Sequence, residues 1–399
     1  MCILQLLQLL QRLLFSDQHF DPALQTAVRN GRPILRAVKI TMTEEEQKQQ
    51  HGGALPEASL SIGAFFTRNN LTANDRAECN SFVSQLYPGK SSSLPSCQGY
   101  CSLTVFVGDD IVVQFRPNTY RLDLSITTTA SKIHPEFAPI TQYITTIPSS
   151  GLLVYRMSRI PGISLRDFRR SSPLLAYSTQ NLTNLCISFA DFLAQSWHHA
   201  NQPQSSLPLG TIGLSIETRL KALRATLPAR FRTLAKTLLM QLPRITSLPW
   251  LFTHGDLMPG NFMLEPSTGV LRGLVDWAES EYLPFGICFY GLEEILGELT
   301  PNGFLYHPDA NTLREIFWKE LEQEIPELRD DVKSNVIMAR DLGVLLWYGI
   351  AFDDGAVNRV VEEGRDVPEI WKLDAFLSPE QGEENTREHP VSAERISKI

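Results

Sequence analysis

Leu251-Phe-Thr-His-Gly-Asp-Leu-Met-Pro-Gly-Asn-Phe-Met-Leu264, with Gly273-Leu-Val-Asp-Trp277 close behind it, is where this sequence concentrates its chemistry. His254, Asp256 and Asn261 stand in one short loop, bracketed by the apolar segments 250–252, 262–264 and 271–275. Short apolar runs separated by Gly- and Pro-bearing connections predict a strand, a loop and then a hairpin. The hairpin returns a further carboxylate, Asp276, beside the loop. Two aspartates and an asparagine converging on one place suit a general base next to a divalent-metal site. Mg²⁺ takes hard oxygen ligands and keeps its remaining positions for water and phosphate.

The rest of the composition bounds what such a site can serve. At 399 residues the chain is long enough for two domains with sizeable cores, and 43% apolar with 20% charged residues describe an ordinary globular protein. A formal charge of −8 supplies no basic field for a nucleic acid polymer, while leaving room for a nucleotide held by local groups and metal. Six scattered cysteines (Cys2, Cys79, Cys97, Cys101, Cys186, Cys288) do not make a disulfide scaffold. Cys97-x-x-x-Cys101 lacks a second Cys/His pair and reads as non-metal. Reduced thiols and a cytoplasmic location are the plain expectation. No apolar run approaches a membrane span. Residues 1–15, with Gln5, Gln8 and Arg12 at helical spacing, predict a short amphipathic helix without signal-peptide features; it packs on the body, forms a poorly ordered extension or, alternatively, touches a membrane surface.

Along the chain, residues 1–58 read as a peripheral extension, polar from 44 and ending in Gly52-Gly53. A helix over 79–86 is stopped by Pro88-Gly89, and 91–96 is loop chemistry. Residues 98–107 run through Gly108-Asp-Asp110 into Ile111-Val-Val-Gln-Phe-Arg116, a hairpin by its β-branched and aromatic content. A helix over 122–133 and strands over 141–147 and 151–157 complete a β-rich domain spanning 59–157. From 160 the pattern turns helical, over 182–199, 216–242 with a Pro228 interruption, 290–299, 312–324 and 332–350. His198-His199 suggests a helix end facing the core. The α-rich domain spans 158–378, and 379–399 has the charged, proline-bearing composition of a disordered tail.

This order, with His254-Gly-Asp-Leu-Met-Pro-Gly-Asn261 and then Leu274-Val-Asp-Trp277, resembles the aminoglycoside phosphotransferase and choline kinase family. Pro161-Gly-Ile-Ser-Leu165 matches that family's element at the lobe junction, and the resemblance spans about residues 60 to 378. It implies an α+β, protein-kinase-like two-lobe fold: a small antiparallel β-rich N-lobe and a larger α-helical C-lobe. It further implies an ATP- and Mg²⁺-dependent phosphotransferase acting on a hydroxyl of a small-molecule acceptor. Asp256 takes the role of base, His254 braces the loop, and Asn261 and Asp276 bind the metal. On the nucleotide side, the resemblance points to a covering turn at Gly99–Ser102, to Gln114 and Arg116 on the third strand, and to a hinge including Met157 and Arg159. Gln114 stands where the family has lysine; Arg116, two residues on, shares its strand face. Asp123, with Glu136 behind it, is the candidate acidic partner on the following helix. Trp277 packs between loops or lines the acceptor pocket, and Glu279 and Glu281 form a solvated acidic turn or meet a cationic acceptor. A catalytically inactive nucleotide- or metabolite-binding protein is the competing reading, motivated by Gln114. A protein kinase is disfavoured, because no activation segment is recognisable between Asp276 and Tyr290.

Overall fold

The computed structural model describes residues 57–96, 98–199, 207–353 and 356–377, which divide into two compact units. The helix expected over 1–15, the polar segment 44–53, Cys97 and the tail 379–399 lie outside the described residues.

The first unit takes the chain up to Arg121 together with Gln142–Met157. It contains helices α1 (Glu57–Arg68) and α2 (Ala73–Leu86) and strands β1 (Ser92–Ser93), β2 (Leu103–Val107), β3 (Ile111–Arg116), β4 (Thr141–Thr146) and β5 (Leu153–Ser158). The strands form one sheet in the order β1-β2-β3-β5-β4, with β1/β2 and β2/β3 antiparallel. Gly108 reverses the chain between β2 and β3 at a φ of 57°, in the left-handed region a glycine enters without strain. Strand alternation sends Leu103, Val105 and Val107, then Ile111, Val113 and Phe115, into a core shared with Ile62, Phe65, Val83 and Val154. α2 starts well upstream of the expected Cys79. Thr72 accepts from the Asp75 amide, and Asp75 accepts from the Thr72 amide at 2.6 Å, so a capping box nucleates a turn that apolar spacing does not reveal.

The second unit comprises Leu122–Thr141 and the chain from Ser158 onward. After α3 (Leu124–Ile133) come β6 (Ile163–Ser164), α4 (Leu165–Ser171), α5 (Pro173–Ala176), α6 (Thr179–His198), α7 (Ile216–Thr226) and α8 (Ala229–Thr246). Then follow β7 (Trp250–Thr253), β8 (Phe262–Leu264), β9 (Leu271–Leu274), β10 (Glu281–Pro284), α9 (Tyr290–Leu296), β11 (Gly297–Thr300) and β12 (Gly303–Tyr306). α10 (Ala310–Glu324), α11 (Asp330–Tyr348), β13 (Ile350–Asp353), β14 (Ala356–Val360) and α12 (Val367–Leu377) complete it. The α+β expectation therefore holds, with the sheet in the N-terminal part and a mostly helical C-terminal part. α6 is the central packing helix: Leu182, Leu185, Phe189, Phe192 and Leu193 recur at helical spacing and are all buried. Pro228 separates α7 from α8 as expected.

Several expectations are corrected. Asp123 is not on the helix but caps it, accepting from the Ser125 amide at 2.8 Å, and Glu136 lies exposed in the turn beyond its end. His198 and His199 are exposed; the histidine that α6 holds in the core is His134, through Ser196 Oγ at 2.9 Å. The helix expected over 290–299 ends at Leu296 and gives way to the β11–β12 hairpin. Cys79, Cys101, Cys186 and Cys288 are free thiols. No helix among the described residues is long and apolar enough to cross a membrane.

Candidate active site

The polar loop joins β7 to β8, and its shape is set by a close backbone crossing. Gly255 has a φ of 77°, and a Cβ there would lie 2.2 Å from the carbonyl oxygen of Glu279. Only glycine permits the 254–256 segment to lie against the turn that follows β9. His254 is buried and pinned on both nitrogens. Its Nε2 lies 3.0 Å from the Val275 carbonyl, and its Nδ1 accepts the Asp256 amide at 3.2 Å. These partners require the neutral tautomer with the proton on Nε2, and burial pushes the imidazole down to about 3. Its ring meets Trp277 edge to face at 4.6 Å. The arrangement is that of a brace between loop and hairpin.

Asp256 is itself buried, at 7% exposure. Asn261 Nδ2 donates to Asp256 Oδ2 and to the Asp256 carbonyl, each at 2.9 Å, which closes the loop on itself. The amide so oriented directs Nδ2 at Asp256 and leaves Oδ1 as the oxygen a cation can use. Burial first, and the neighbouring Asp276 carboxylate second, raise the proton affinity of Asp256.

The turn after β9 supplies the remaining carboxylates. Asp276 adopts a φ of 65°, a left-handed conformation that Asp tolerates better than most residues and that aims its carboxylate back at the loop. Asp256, Asp276 and Glu279 each place a carboxylate oxygen within 4.8 Å of the others. Three converging carboxylates with an amide oxygen nearby are a hard-oxygen donor set, which fits a divalent cation such as Mg²⁺. Glu279 enters this group unassigned by the motif. The sequence shows two glutamates, 279 and 281, and only the Trp277–Ser280 turn, closed by Ser280 N–H to the Trp277 carbonyl at 3.2 Å, decides which one faces Asp256. Glu281 is tied into the fold: its carboxylate accepts the Ile212 and Gly213 amides at 2.9 and 2.7 Å and holds down the segment before α7. Trp277 is buried, stacked on Phe252 at 6.2 Å with Nε1 donating to the Leu274 carbonyl, and so packs between the elements of the site.

Pro161-Gly162 supports the loop from its other side. Gly162 has a φ of 105°, and a Cβ there would lie 2.2 Å from the Leu264 carbonyl oxygen. That close approach lets β6 pair with β8, while the Arg166 amide donates to the Pro259 carbonyl at 3.0 Å.

His254, Asp256, Asn261 and Asp276 thus come together in the second unit. Gly99, Ser102, Gln114, Arg116 and Met157 belong to the first, and Arg159 follows the end of β5. Gly99 and Ser102 lie in the connection between β1 and β2. The register Thr104↔Gln114 and Leu103↔Phe115 places Ser102, Thr104, Gln114 and Arg116 on one face of the sheet. They form a continuous polar row. Ser102 Oγ is 3.3 Å from Thr104 Oγ1, Gln114 Nε2 donates to Thr104 Oγ1 at 3.3 Å, and Arg116 Nε donates to Gln114 Oε1 at 3.0 Å. Arg116 is 5% exposed and also donates to the Tyr120 carbonyl. Gln98, which the sequence did not single out, aligns the turn by exchanging hydrogen bonds with both the amide and the carbonyl of Thr104.

Among solved structures the chain is similar to the GDP complex of aminoglycoside 2'-phosphotransferase-IIIa, at 13% identity and a TM-score of 0.46, covering 78% of this chain and 99% of that one. It is similar also to a choline/ethanolamine kinase family protein from Mesorhizobium loti, at 15% identity and a TM-score of 0.43, covering 69% of this chain and 84% of that one. A third is aminoglycoside phosphotransferase APH(3'')-Id from Streptomyces rimosus, at 13% identity and a TM-score of 0.38, with coverages of 66% and 98%. No curated protein matches the chain. Residues 103–286, from the start of β2 to the end of the carboxylate-bearing hairpin and just beyond, match the model of the phosphotransferase enzyme family.

Proposed function

We propose that the protein is a small-molecule kinase that transfers the terminal phosphoryl group of ATP to a hydroxyl of its acceptor, with Asp256 as the base. The observation that carries this reading is the convergence of Asp256, Asp276 and Glu279 within 4.8 Å, on a loop closed by Asn261. Phosphoryl transfer asks a protein mainly for alignment and for neutralisation of phosphate charge. Asp256, held by Asn261 and with its proton affinity raised by burial, is suited to accept a hydroxyl proton, or to orient the hydroxyl, near neutral pH. Asn261, Asp276 and Glu279 are the residues that would hold Mg²⁺, which when bound neutralises phosphate oxygens. His254 keeps the base in place and does not itself react. On the nucleotide side the proposal assigns Gly99 and Ser102 to the phosphate-covering turn, Gln114 and Arg116 to the third-strand contact, and Met157 and Arg159 to the nucleoside. Incubation with Mg²⁺-ATP and a panel of hydroxylated small molecules is expected to release ADP, and Asp256→Ala to abolish the release. Undiminished transfer by that variant sinks the assignment of the base.

One observation favours a second reading, a nucleotide-binding protein without turnover. Gln114 cannot neutralise a phosphate, and Arg116 is buried with donors committed to Gln114 and Tyr120. Thermal-shift titration separates the two. A shift with ATP and Mg²⁺ but no ADP release on any acceptor, water included, selects the binder; no shift at all removes both.

A further inference from the structure

Behind the loop lies a buried polar cluster that the proposed chemistry does not use. Lys372 on α12 and Glu294 on α9 are 3% and 2% exposed, and Lys372 Nζ lies 2.5 Å from Glu294 Oε1. The same oxygen accepts the hydroxyl of Tyr348, the last residue of α11. Arg169 fixes the helix that carries Glu294 by donating to the Glu294 and Ile295 carbonyls at 3.0 and 2.8 Å. A buried ion pair is on average no more stabilising than well-packed apolar residues in its place. Stability alone therefore does not account for three helices meeting at one carboxylate.

The contacts of Tyr348 suggest what does. Its hydroxyl oxygen is 3.6 Å from Met258 Sδ, two residues past Asp256. Its ring packs edge-on against Tyr290 at 5.9 Å, and the Tyr290 hydroxyl accepts the Leu257 amide at 3.1 Å. Gly291 faces Leu257 so closely that a Cβ would lie 2.8 Å from its side chain. The two residues immediately after the base are thus seated on two tyrosine hydroxyls, one of them bonded directly to Glu294. The adjacent Glu293 supplies an internal contrast. It is buried and paired with Arg314 and Arg340 at 2.8 and 2.7 Å, yet its partners are Tyr306 and those arginines, away from the loop.

We propose that Lys372, Glu294 and Tyr348 are positioning residues for Asp256, with α12 setting the seat of the catalytic loop through Glu294. This rests on the reading of Asp256 as the base. In the cluster, Lys372 holds the carboxylate of Glu294 in place, the carboxylate orients the Tyr348 hydroxyl, and Tyr348 sets the height of Met258. A displacement of about 1 Å at a reacting group costs on the order of a hundredfold in rate.

The test compares Lys372→Met, Tyr348→Phe and the control Arg314→Met in the full chain. One readout is hydrolysis of Mg²⁺-ATP, which needs no acceptor; the other is amide hydrogen exchange over residues 251–264. Lys372→Met and Tyr348→Phe are expected to lower kcat by about ten- to a hundredfold with KM for ATP changed by less than about twofold. Both should speed exchange at residues 257–261. Arg314→Met should lower Tm and leave both readouts alone. Adding Glu294→Gln to Lys372→Met removes the unpaired buried charge while keeping an acceptor for Tyr348, and should recover most of the lost kcat. An unchanged kcat in both variants, or the same loss in Arg314→Met, overturns the proposal. If the wild-type protein neither hydrolyses ATP nor phosphorylates an acceptor, it is the kinase reading that fails. The exchange readout then decides alone, and unaltered protection at 257–261 overturns the positioning role.

Discussion

The crossing at Gly255 gives the sharpest expectation, because the structure fixes its size. A Cβ at position 255 would lie 2.2 Å from the Glu279 carbonyl oxygen and 2.7 Å from the carbonyl carbon, whereas real Cβ contacts essentially never fall below 3.0 Å. Both atoms are backbone, so no side chain can swing away. The loop and the Trp277–Ser280 turn must separate by at least about 0.8 Å, the difference between those distances. Alanine at a φ of 77° adds about 1–2 kcal/mol of intrinsic left-handed cost, and forcing a well-packed crossing apart adds about 1–3 kcal/mol. The total of about 2–5 kcal/mol corresponds to a fall in Tm of roughly 4–20 °C for a unit of this size. The functional loss should exceed the stability loss, since the same separation moves Asp256 away from Asp276 and Glu279. Gly255→Ala assayed well below its Tm is expected to lose divalent-cation affinity and at least tenfold in ATP turnover. Gly260→Ala is the stability control: the nearest atom to a Cβ there is Arg166 Nη1 at 3.5 Å, an ordinary contact. A Gly255→Ala protein with wild-type Tm and wild-type cation affinity would refute the claim that this crossing sets the site.

Two further outcomes test other parts of the site. Glu279→Gln should weaken Mg²⁺ or Mn²⁺ binding by about tenfold, or about 1.4 kcal/mol, in calorimetric titration; unchanged affinity removes Glu279 from the donor set. His134 and His254 are both pushed down to about 3 by burial, so between pH 6.5 and 3 the unfolded chain takes up protons that the folded one refuses. The stability they support is complete above pH 6.5 and declines on acidification by about 1.4 kcal/mol per pH unit for each histidine. His134→Gln, although less stable at pH 7, should show a slope shallower by that amount in urea unfolding between pH 6.5 and 5, and an unaltered slope contradicts the assignment.

Much of this was legible in the sequence where local chemistry decides structure. The β2–β3 hairpin was readable from Gly108-Asp-Asp110 between β-branched runs, and the break at Pro228 from the missing amide of proline. The polar loop was readable as a loop because His254, Asp256 and Asn261 stand between short apolar runs with glycine and proline among them. What stayed hidden depends on contacts distant in sequence. Glu279 and Glu281 look alike as neighbours on an acidic turn, and one bonds Ile212 and Gly213 only because the chain before α7 passes there. Asp123 was expected on the helix, and its place as the cap shows only in its bond from the Ser125 amide. Lys372 and Glu294 are 78 positions apart in sequence, and nothing local to either announces a buried pair.

The pairing of Gln114 with Arg116 on β3 follows from the same kind of constraint. Gln114 Oε1 accepts from Arg116 Nε at 3.0 Å, and the two side chains share a face that also carries Ser102 and Thr104. A lysine at 114 would bring its ammonium against the Arg116 guanidinium in a buried row, where like charges oppose each other and each loses solvation. Arginine at 116 and lysine at 114 are therefore alternatives, not additions. Glutamine fits beside arginine because it accepts from the guanidinium with one end and donates to Thr104 with the other. Gln114 and Arg116 are therefore one coupled pair, in which the glutamine fixes where the guanidinium stands.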